Sequence, residues 1–335
     1  MEKIESKKRI LTGIRPTATL TIANLIGAAF PLLELQKLNE SNEILVFVAT
    51  LHGLTDHEPE QLKVGDIVKD YIALGLDPSK IVIFDQHGLR KEVALLKLYL
   101  ERHITISRAT RVPTLKDKLK DGQTPEQATV LLMAYPIMMA VDILLQDAYM
   151  VPVGKDQFSH MEVARELADA FNNKYGNGKK IVVRPETMNI NEPINILSLT
   201  GDGKMSKSKP EGAIFLNDSP EDIRKKMKRA ETAIEGQTSE KLNNLVSIVK
   251  AIAPEREKEV IALAEQHLKG EKVMGKFKTL VADIIIEFTT SFQKRRAQIS
   301  DEQVAEVLQR GISIARANAN EVIQRVEKAM GFEED

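Results

Sequence analysis

The sequence predicts an α/β fold: a doubly wound parallel sheet followed by an all-helical domain. Three observations predict it. Short apolar runs rich in β-branched residues alternate with stretches of helical period in the first part of the chain. Beyond about residue 219 only amphipathic helical segments follow. A segment rich in glycine, 201–212, separates the two patterns. We therefore expect an α/β domain over residues 1–212 and a helical domain over residues 213–335.

The predicted strands place candidate ligand contacts at one edge of the sheet. The apolar runs are RILTGI (9–14), ILVFVAT (44–50) and IVIFD (81–85), and a helical pattern at 93–101 follows the third. In parallel sheets with helical crossovers, ligands bind at the carboxyl ends of the strands. Arg15 and Thr17 follow the first run and His52 follows the second. These side chains are the first candidates for a binding site.

Three helix starts carry their own capping signals. The sequences TPEQ from Thr124 and SPED from Ser219 place a hydroxyl at the N-cap, proline next and an acceptor at the third helical position. SDEQ from Ser300 is a capping box without the proline. We therefore expect helices to begin at these three points.

Composition excludes several classes of protein. Hydrophobic residues make up 43% and charged residues 28%, as in ordinary globular proteins. No apolar run approaches the roughly 20 residues that span a bilayer. The start MEKIESKKR carries both charge signs and no apolar region, which does not fit a secretory signal. The absence of cysteine rules out disulfides and thiolate sites. We expect a cytoplasmic protein whose formal charge of −1 leaves room only for local basic patches.

The segment GDGKMSKSKPEG, residues 201–212, carries the most specific chemistry. Three lysines and two serines lie on a loop flanked by glycines. Ammonium groups on a mobile loop suit a polyanion that forms transiently, such as a pyrophosphate leaving group. The alternative is a solvated basic linker, but the ordered string KMSKS at 204–208 is rare by chance in a chain of this length.

Three separated blocks resemble bacterial tryptophanyl-tRNA synthetases, a family of class I aminoacyl-tRNA synthetases. They are the KMSKS string, PTATLTIANLIGA (16–28) with TIAN at the HIGH position, and the block from YPIMMAVD to VPVGKDQ within 135–172. The resemblance implies a tryptophan–tRNA ligase that forms tryptophanyl-adenylate from L-tryptophan and ATP with Mg²⁺. Transfer to tRNA(Trp) follows, in a homodimer without a protein-held metal.

The resemblance also implies which residues contact the nucleotide. They are Arg15, Pro16, Thr17, Thr21, Ala23, Asn24, Gly154, Lys155, Asp156, Ile196, Lys204, Met205, Ser206, Lys207 and Ser208. Catalytic charge stabilisation is implied for Lys204, Lys207 and Lys118. Lys118 lies with Lys116 in a segment whose pattern also fits an exposed helical face. Two positions depart from the family pattern. Ala23 replaces the glycine of HIGH, and Arg15 stands where bacterial enzymes tend to have glutamine.

A lone carboxylate marks the expected amino-acid pocket. Asp142 interrupts the apolar run IMMAVDILL and shares one predicted helix face with Tyr135 and Met139. A buried carboxylate needs a donor, either from the protein itself or from a ligand. The resemblance favours the indole N–H of tryptophan, although a tyrosine hydroxyl would serve too and keeps a tyrosyl-tRNA synthetase open. The implied pocket is Asp142, Tyr135, Met139, His52, Val151, Val153 and Gln157.

Basic clusters on the helical domain are candidate tRNA contacts. RKKMKR supplies Arg224, Lys225, Lys226, Lys228 and Arg229, and QKRRAQ at 293–298 adds three more charges. Such clusters also occur as solvated helix faces. Two other classes of protein stay open: a non-catalytic paralogue that binds tRNA or an amino acid, and a small-molecule adenylyltransferase of related fold.

Overall fold

The computed structural model describes residues 8–16, 19–113, 124, 127–154, 157–189 and 195–332. Some residues singled out in the sequence lie outside these ranges, namely Thr17, Lys116, Lys118, Lys155 and Asp156. The predicted helix start at Thr124 falls next to the undescribed residues 125–126.

A five-stranded parallel sheet lies at the centre of the fold, in the order β3-β2-β1-β4-β5. Its strands are β1 Lys8–Ile14, β2 Asn42–Val48, β3 Val82–Asp85, β4 Met150–Val153 and β5 Glu186–Asn189. The order confirms the predicted doubly wound sheet. The sequence analysis identified β1, β2 and β3 but neither β4 nor β5. Each of these two has four residues, and β5 begins with the polar pair Glu186 and Thr187.

Helices cover the sheet and form the second part of the chain. The α/β part contains α1 Ile22–Asn24, the π-helical turn Leu25–Ala29, α2 Phe30–Leu35, α3 Thr50–Gly53, α4 Val64–Leu74, α5 Arg90–Glu101, α6 Ile106–Ala109, α7 Val130–Met133, α8 Tyr135–Leu145 and α9 Phe158–Tyr175. The helical part contains α10 Pro220–Arg229, α11 Glu240–Ile252, α12 Glu257–Leu268, α13 Met274–Ala297 and α14 Asp301–Met330. Among the described helices, none has the length and apolarity needed to cross a membrane.

The predicted caps of the helical part are confirmed. The Ser219 hydroxyl accepts from the N–H of Asp222, and Ser300 forms a reciprocal capping box with Gln303. Each cap satisfies backbone donors that the first helical turn leaves unpaired. Residues 220–332 are all described, and their regular elements are helices, as the sequence predicts.

Two apolar cores lie on opposite faces of the sheet. Successive residues of β2 point alternately into the two cores: Ile44 and Val46 lie in one, and Leu45 and Phe47 lie in the other. This alternation follows from the pleat of a strand buried on both faces. The first core also contains apolar residues of α11 and α13, whereas the second contains those of α5, α8, α9 and α14.

Helix α14 returns to the α/β part. Its Ala315, Val322 and Val326 are fully buried in the second core. Gly311 lets the helix approach the backbone of β3, since a Cβ there would lie 1.7 Å from the carbonyl oxygen of Ile83. The division into domains at residue 212 stays a prediction. Helix α14 follows that boundary in the sequence but packs into the second core together with the α/β part.

The close approach at Gly311 leads to a stability prediction. Gly311→Ala should lower the free energy of unfolding by about 1–3 kcal/mol or more, because the new methyl group would clash with rigid β3 backbone. Gly275→Ala in α13 is the matched control, since its Cβ would meet nothing within 4 Å. That change should be neutral or stabilising by up to about 1 kcal/mol. Urea unfolding of both variants tests the contact, and equal midpoints would contradict it.

Candidate active site

Two cavities meet at the carboxyl end of β1. The first has a volume of about 290 Å³ and the second about 420 Å³. Residues 12–15 and Pro152 line both. This is where the strand order reverses between β1 and β4, the switch point at which doubly wound sheets bind ligands.

The first cavity gathers most of the predicted amino-acid pocket. His52 follows β2 in the short helix α3, Tyr135 and Met139 lie on α8, and β4 supplies Val151 and Val153. Further lining residues that the sequence singled out are Pro16, Gly154 and Gln157. The walls thus combine apolar side chains with polar ones such as Tyr135 and Gln157. This composition suits an amphipathic small molecule with an apolar body and a polar end.

Asp142 lies beneath this cavity, not among the side chains that line it. Its Oδ2 is 2.9 Å from His52 Nε2, and Gln86 Nε2 lies 2.8 Å from both carboxylate oxygens. Because an ionised carboxylate only accepts, His52 Nε2 and the Gln86 amide are the donors. The protein itself therefore supplies donors to this buried carboxylate, which is the alternative that the sequence had left open. An ionised carboxylate offers about four acceptor positions, and the described donors His52 and Gln86 make three contacts with it.

Gln86 organises this buried network, and the sequence analysis missed it. Its Oε1 accepts from the backbone N–H of Leu51 at 2.9 Å and of His52 at 3.3 Å while its amide nitrogen donates to Asp142. It is 1% exposed. Gln86 follows β3 directly, so its place after a predicted strand was the signal that could have found it.

Aromatic ring contacts connect the lining residues His52 and Tyr135 of the first cavity. The rings of His52 and Tyr135 meet edge to face with centroids 4.3 Å apart, and His160 lies 5.7 Å from Tyr135 on the next helix. Burial raises the pKa of Tyr135 above its usual value, although Arg15 opposes the shift. The Tyr135 hydroxyl is therefore neutral at pH 7 and can both donate and accept.

The second cavity lies beside the start of α1. Asn24, Gly27 and Ala28 line it, the last two on the π-helical turn. Thr21 does not: it is 1% exposed and caps the helix by accepting from the N–H of Asn24. Ala23 packs against the first core and also lies off the cavity wall. Of the TIAN segment, only Asn24 faces this cavity.

The KMSKS loop brings one lysine into the second cavity. Lys207 lines it, whereas Lys204 is exposed and bridges Leu197 at the base of the loop. Met205 is buried in the first core, and its N–H donates to the carbonyl of Ile196 at 2.8 Å. The remaining pair, Ser206 and Ser208, bond to each other at 2.8 Å.

Two positively charged side chains lie at the junction of the cavities. Arg15 is exposed and lines both, and Lys207 lines the second. Burial lowers the pKa of Lys207 from its usual value, Asp70 opposes this shift and Arg15 adds to it. Burial raises the pKa of Asp70, which is hydrogen-bonded to Arg296 of α13. Two cations near one entrance suit a polyanionic ligand.

The predicted basic clusters are partly used within the protein. Arg224 pairs with Asp283 at 2.9 Å and Lys226 with Asp218 at 2.6 Å. The side chains of Lys225, Lys228 and Arg229 are exposed, and their role in binding tRNA stays a prediction.

The second cluster, at 293–298, docks α13 onto α4. Arg295 donates to the carbonyl of Ala73 at 2.7 Å, and Arg296 binds Asp70 and, at 2.8 Å, Asp66. Nothing in the sequence indicated these partners. Because Arg295 and Arg296 are engaged within the protein, fewer charges of this cluster are left for phosphate contacts than the sequence alone indicated.

Comparisons with known proteins agree in one family. A family model described as "tRNA synthetases class I (W and Y)" matches residues 2–303. The tryptophan–tRNA ligase of Prochlorococcus marinus is 34% identical over 344 residues, covering 98% of both chains. That of Treponema pallidum is 33% identical and covers 97% of both. The tryptophanyl-tRNA synthetase of Campylobacter jejuni, solved with ADP and tryptophan, is 28% identical. It superimposes with a TM-score of 0.81 over 96% of this chain and 99% of that one.

Proposed function

The chain belongs to the class I tRNA synthetase family for tryptophan and tyrosine, and from this premise we propose how it works as a tryptophan–tRNA ligase. It activates L-tryptophan with ATP to tryptophanyl-adenylate and transfers the aminoacyl group to tRNA(Trp). The observation that carries the mechanism is the meeting of an apolar cavity and a cationic cavity at residues 12–15. The two substrates would react across that junction.

Tryptophan occupies the first cavity in this proposal. Its indole ring packs between Met139, Val151 and Val153, with its N–H directed towards the carboxylate of Asp142, which must come into contact with the cavity when the ligand binds. His52 and Gln86 fix the position of that carboxylate by donating hydrogen bonds to it. The polar end of the amino acid then lies towards Tyr135, Gln157 and Arg15 at the mouth.

ATP occupies the second cavity, against Asn24 and Gly27 of the helix start and with Lys207 at its phosphates. The tryptophan carboxylate attacks the α-phosphate, a bond forms between them, and pyrophosphate leaves. Because two anions must approach, the positive charges of Arg15 and Lys207 lower the barrier, and no side chain acts as a nucleophile. Thr17, Lys118, Lys155, Asp156 and Lys204 stay predicted contacts of the same nucleotide.

Mg²⁺ enters the proposal only as the companion ion of ATP. In the part of the chain that the structure describes, no carboxylate lines the second cavity. We propose that magnesium is held by ATP phosphates and water, the ligands it commonly keeps. No step of the mechanism is assigned to the ion.

We also propose tRNA and a second copy of the chain as partners. The exposed Lys225, Lys228 and Arg229 on α10 are available to phosphates, unlike Arg224 and Lys226, which carboxylates hold. The homodimer is proposed from the family resemblance, with Ile106 and Val130, each 82% exposed, as candidate contacts. We propose a cytoplasmic location, which is consistent with a role in translation.

Amino-acid-dependent ATP–pyrophosphate exchange, measured with all twenty amino acids, tests the function. We expect exchange with tryptophan. Preferential exchange with tyrosine would keep the family and overturn the substrate. Tight tRNA binding without any exchange would indicate a non-catalytic paralogue, and nucleotide transfer without tRNA binding would indicate a small-molecule adenylyltransferase.

Asp142 should select tryptophan. The chain contains no tryptophan residue, so the emission of added tryptophan reports binding directly. Asp142→Ala should weaken binding roughly ten- to a hundredfold, because the indole N–H loses its acceptor in an apolar slot. Gln86→Ala, the control, removes an internal donor but keeps the carboxylate, so stability should fall more than affinity. An Asp142→Ala protein that is folded and binds tryptophan normally would assign this carboxylate a purely structural role.

Lys207 should determine the alkaline limit of adenylation. Only its protonated form stabilises the leaving pyrophosphate, and its pKa is lowered by burial. The value of kcat/KM for ATP should therefore decline as pH rises, at a pH below the ordinary 10.5 of a lysine. Lys207→Arg should remove this decline, because a guanidinium stays charged.

Lys207→Ala should lower the adenylation rate roughly a hundredfold with unchanged tryptophan affinity. Lys209→Ala is the control, since Lys209 is exposed on the same loop outside the cavity. A wild-type alkaline limb that persists in Lys207→Arg would assign the titration to another group.

A further inference from the structure

The KMSKS loop begins on a small two-stranded ribbon. Leu197 forms an antiparallel bridge with Lys204, and the N–H of Ser198 donates to the carbonyl of Gly203 at 3.0 Å. Gly201, with φ of +64°, allows the turn between the two strands. An isolated ribbon of this size is marginal in water. Its position must therefore be fixed by contacts with the rest of the protein.

Side chains of the helical part supply those contacts. Asn244 of α11 accepts from the N–H of Leu197 at 2.9 Å and donates to the Leu197 carbonyl at 3.3 Å. One turn earlier, Lys241 donates to the carbonyl of Ser198 at 2.6 Å and to that of Gly201. Glu231 accepts from the N–H of Gly201 at 2.7 Å. The backbone at 197–201 is thus held by three side chains that come from 231–244.

Both ends of the KMSKS loop are hydrogen-bonded to the ribbon. The N–H of Leu199 donates to the carbonyl of Gly212 at 2.8 Å, beyond the loop. A Cβ at Gly212 would lie 2.0 Å from the Ser198 hydroxyl, so the approach there is tight. Residues 204–211, which include Lys207, are therefore attached to the ribbon at both ends of the segment. Any shift of the ribbon against the sheet moves Lys207 relative to the second cavity.

We propose that Asn244, supported by Lys241, is a positioning residue for the adenylation step; this role rests on the proposed function. Asn244 is 7% exposed. Its amide presents one acceptor and one donor to the two backbone groups of Leu197, as a neighbouring strand would. Aspartate lacks the donor and leucine lacks both. Because catalysis here depends on charge placed at the phosphates, a displacement of about 1 Å can cost roughly a hundredfold in rate.

The test separates the rate of the first step from substrate binding. Asn244→Ala and Asn244→Asp should each lower kcat of tryptophan-dependent pyrophosphate exchange about tenfold or more. Tryptophan affinity, measured by its fluorescence, should stay unchanged, because the first cavity does not include α11. Transfer to tRNA from enzyme-bound adenylate prepared beforehand should also be unchanged, since pyrophosphate has already left. The control is Asn243→Ala, the exposed neighbour on the same helix, with wild-type kcat.

Two results would overturn the positioning role. One is a pair of Asn244 variants with lowered thermal stability but wild-type kcat at a temperature where they are folded. The other is a parallel loss of tryptophan affinity and kcat, which would mean general damage. Should Asn244→Ala not fold, Lys241→Met replaces it, with the same expected split and the same contrary outcome. Absence of exchange in the wild-type chain would overturn the proposed function together with this role, whereas wild-type exchange matched by every variant overturns this role alone.

Discussion

The parallel pairing of β1 with β2 on one side and β4 on the other is the constraint on which the rest of the structure depends. The chain runs from β1 to β2 and β3, and it later returns to β4 and β5 across the opposite edge. Connections therefore diverge at the carboxyl end of β1 and leave a crevice. Both cavities border residues 12–15 for that reason, so backbone pairing places the two substrates before side chains select them.

Arg15 and Arg296 differ in whether carboxylates engage their charges. Arg15 forms no ion pair with the residues that the structure describes, and it faces both cavities. Arg296, by contrast, is engaged by Asp66 and Asp70. Asp70 in turn favours the charged form of Lys207, against the effect of burial. The ion pair that docks the helical part on α4 thus also bears on the charge of the loop lysine.

What the sequence could predict was set by local patterns. Apolar runs and capping residues found β1, β2, β3 and the helical part, and spacing on α8 placed Tyr135 and Met139 on one wall of a cavity. Pairings across the chain could not be found in this way. His52 and Asp142 were both chosen as pocket residues, yet their bond joins positions 90 residues apart. The same holds for the ribbon, where Asn244 meets Leu197 from a distance of 47 residues.

The family resemblance indicated the substrate and the KMSKS loop. It did not indicate which internal hydrogen bonds fix the pocket and the loop in place. Long-range hydrogen bonds depend on how elements dock, and a single sequence does not encode that docking in any local period. Gln86 and Asn244 illustrate the limit, because some of their partners are backbone groups of Leu51 and Leu197 that any residue would carry.

The return of α14 to β3 has a consequence for synthesis on the ribosome. About two hundred residues separate the edge strand β3 from the helix that covers it. At translation speeds of about 5–20 residues per second, the nascent sheet waits on the order of ten to forty seconds before that helix emerges. During this interval the apolar face of Leu45 and Phe84 and the backbone of β3 lack their final cover. We expect these surfaces to need transient shielding, for example by a chaperone, until α14 has left the ribosome.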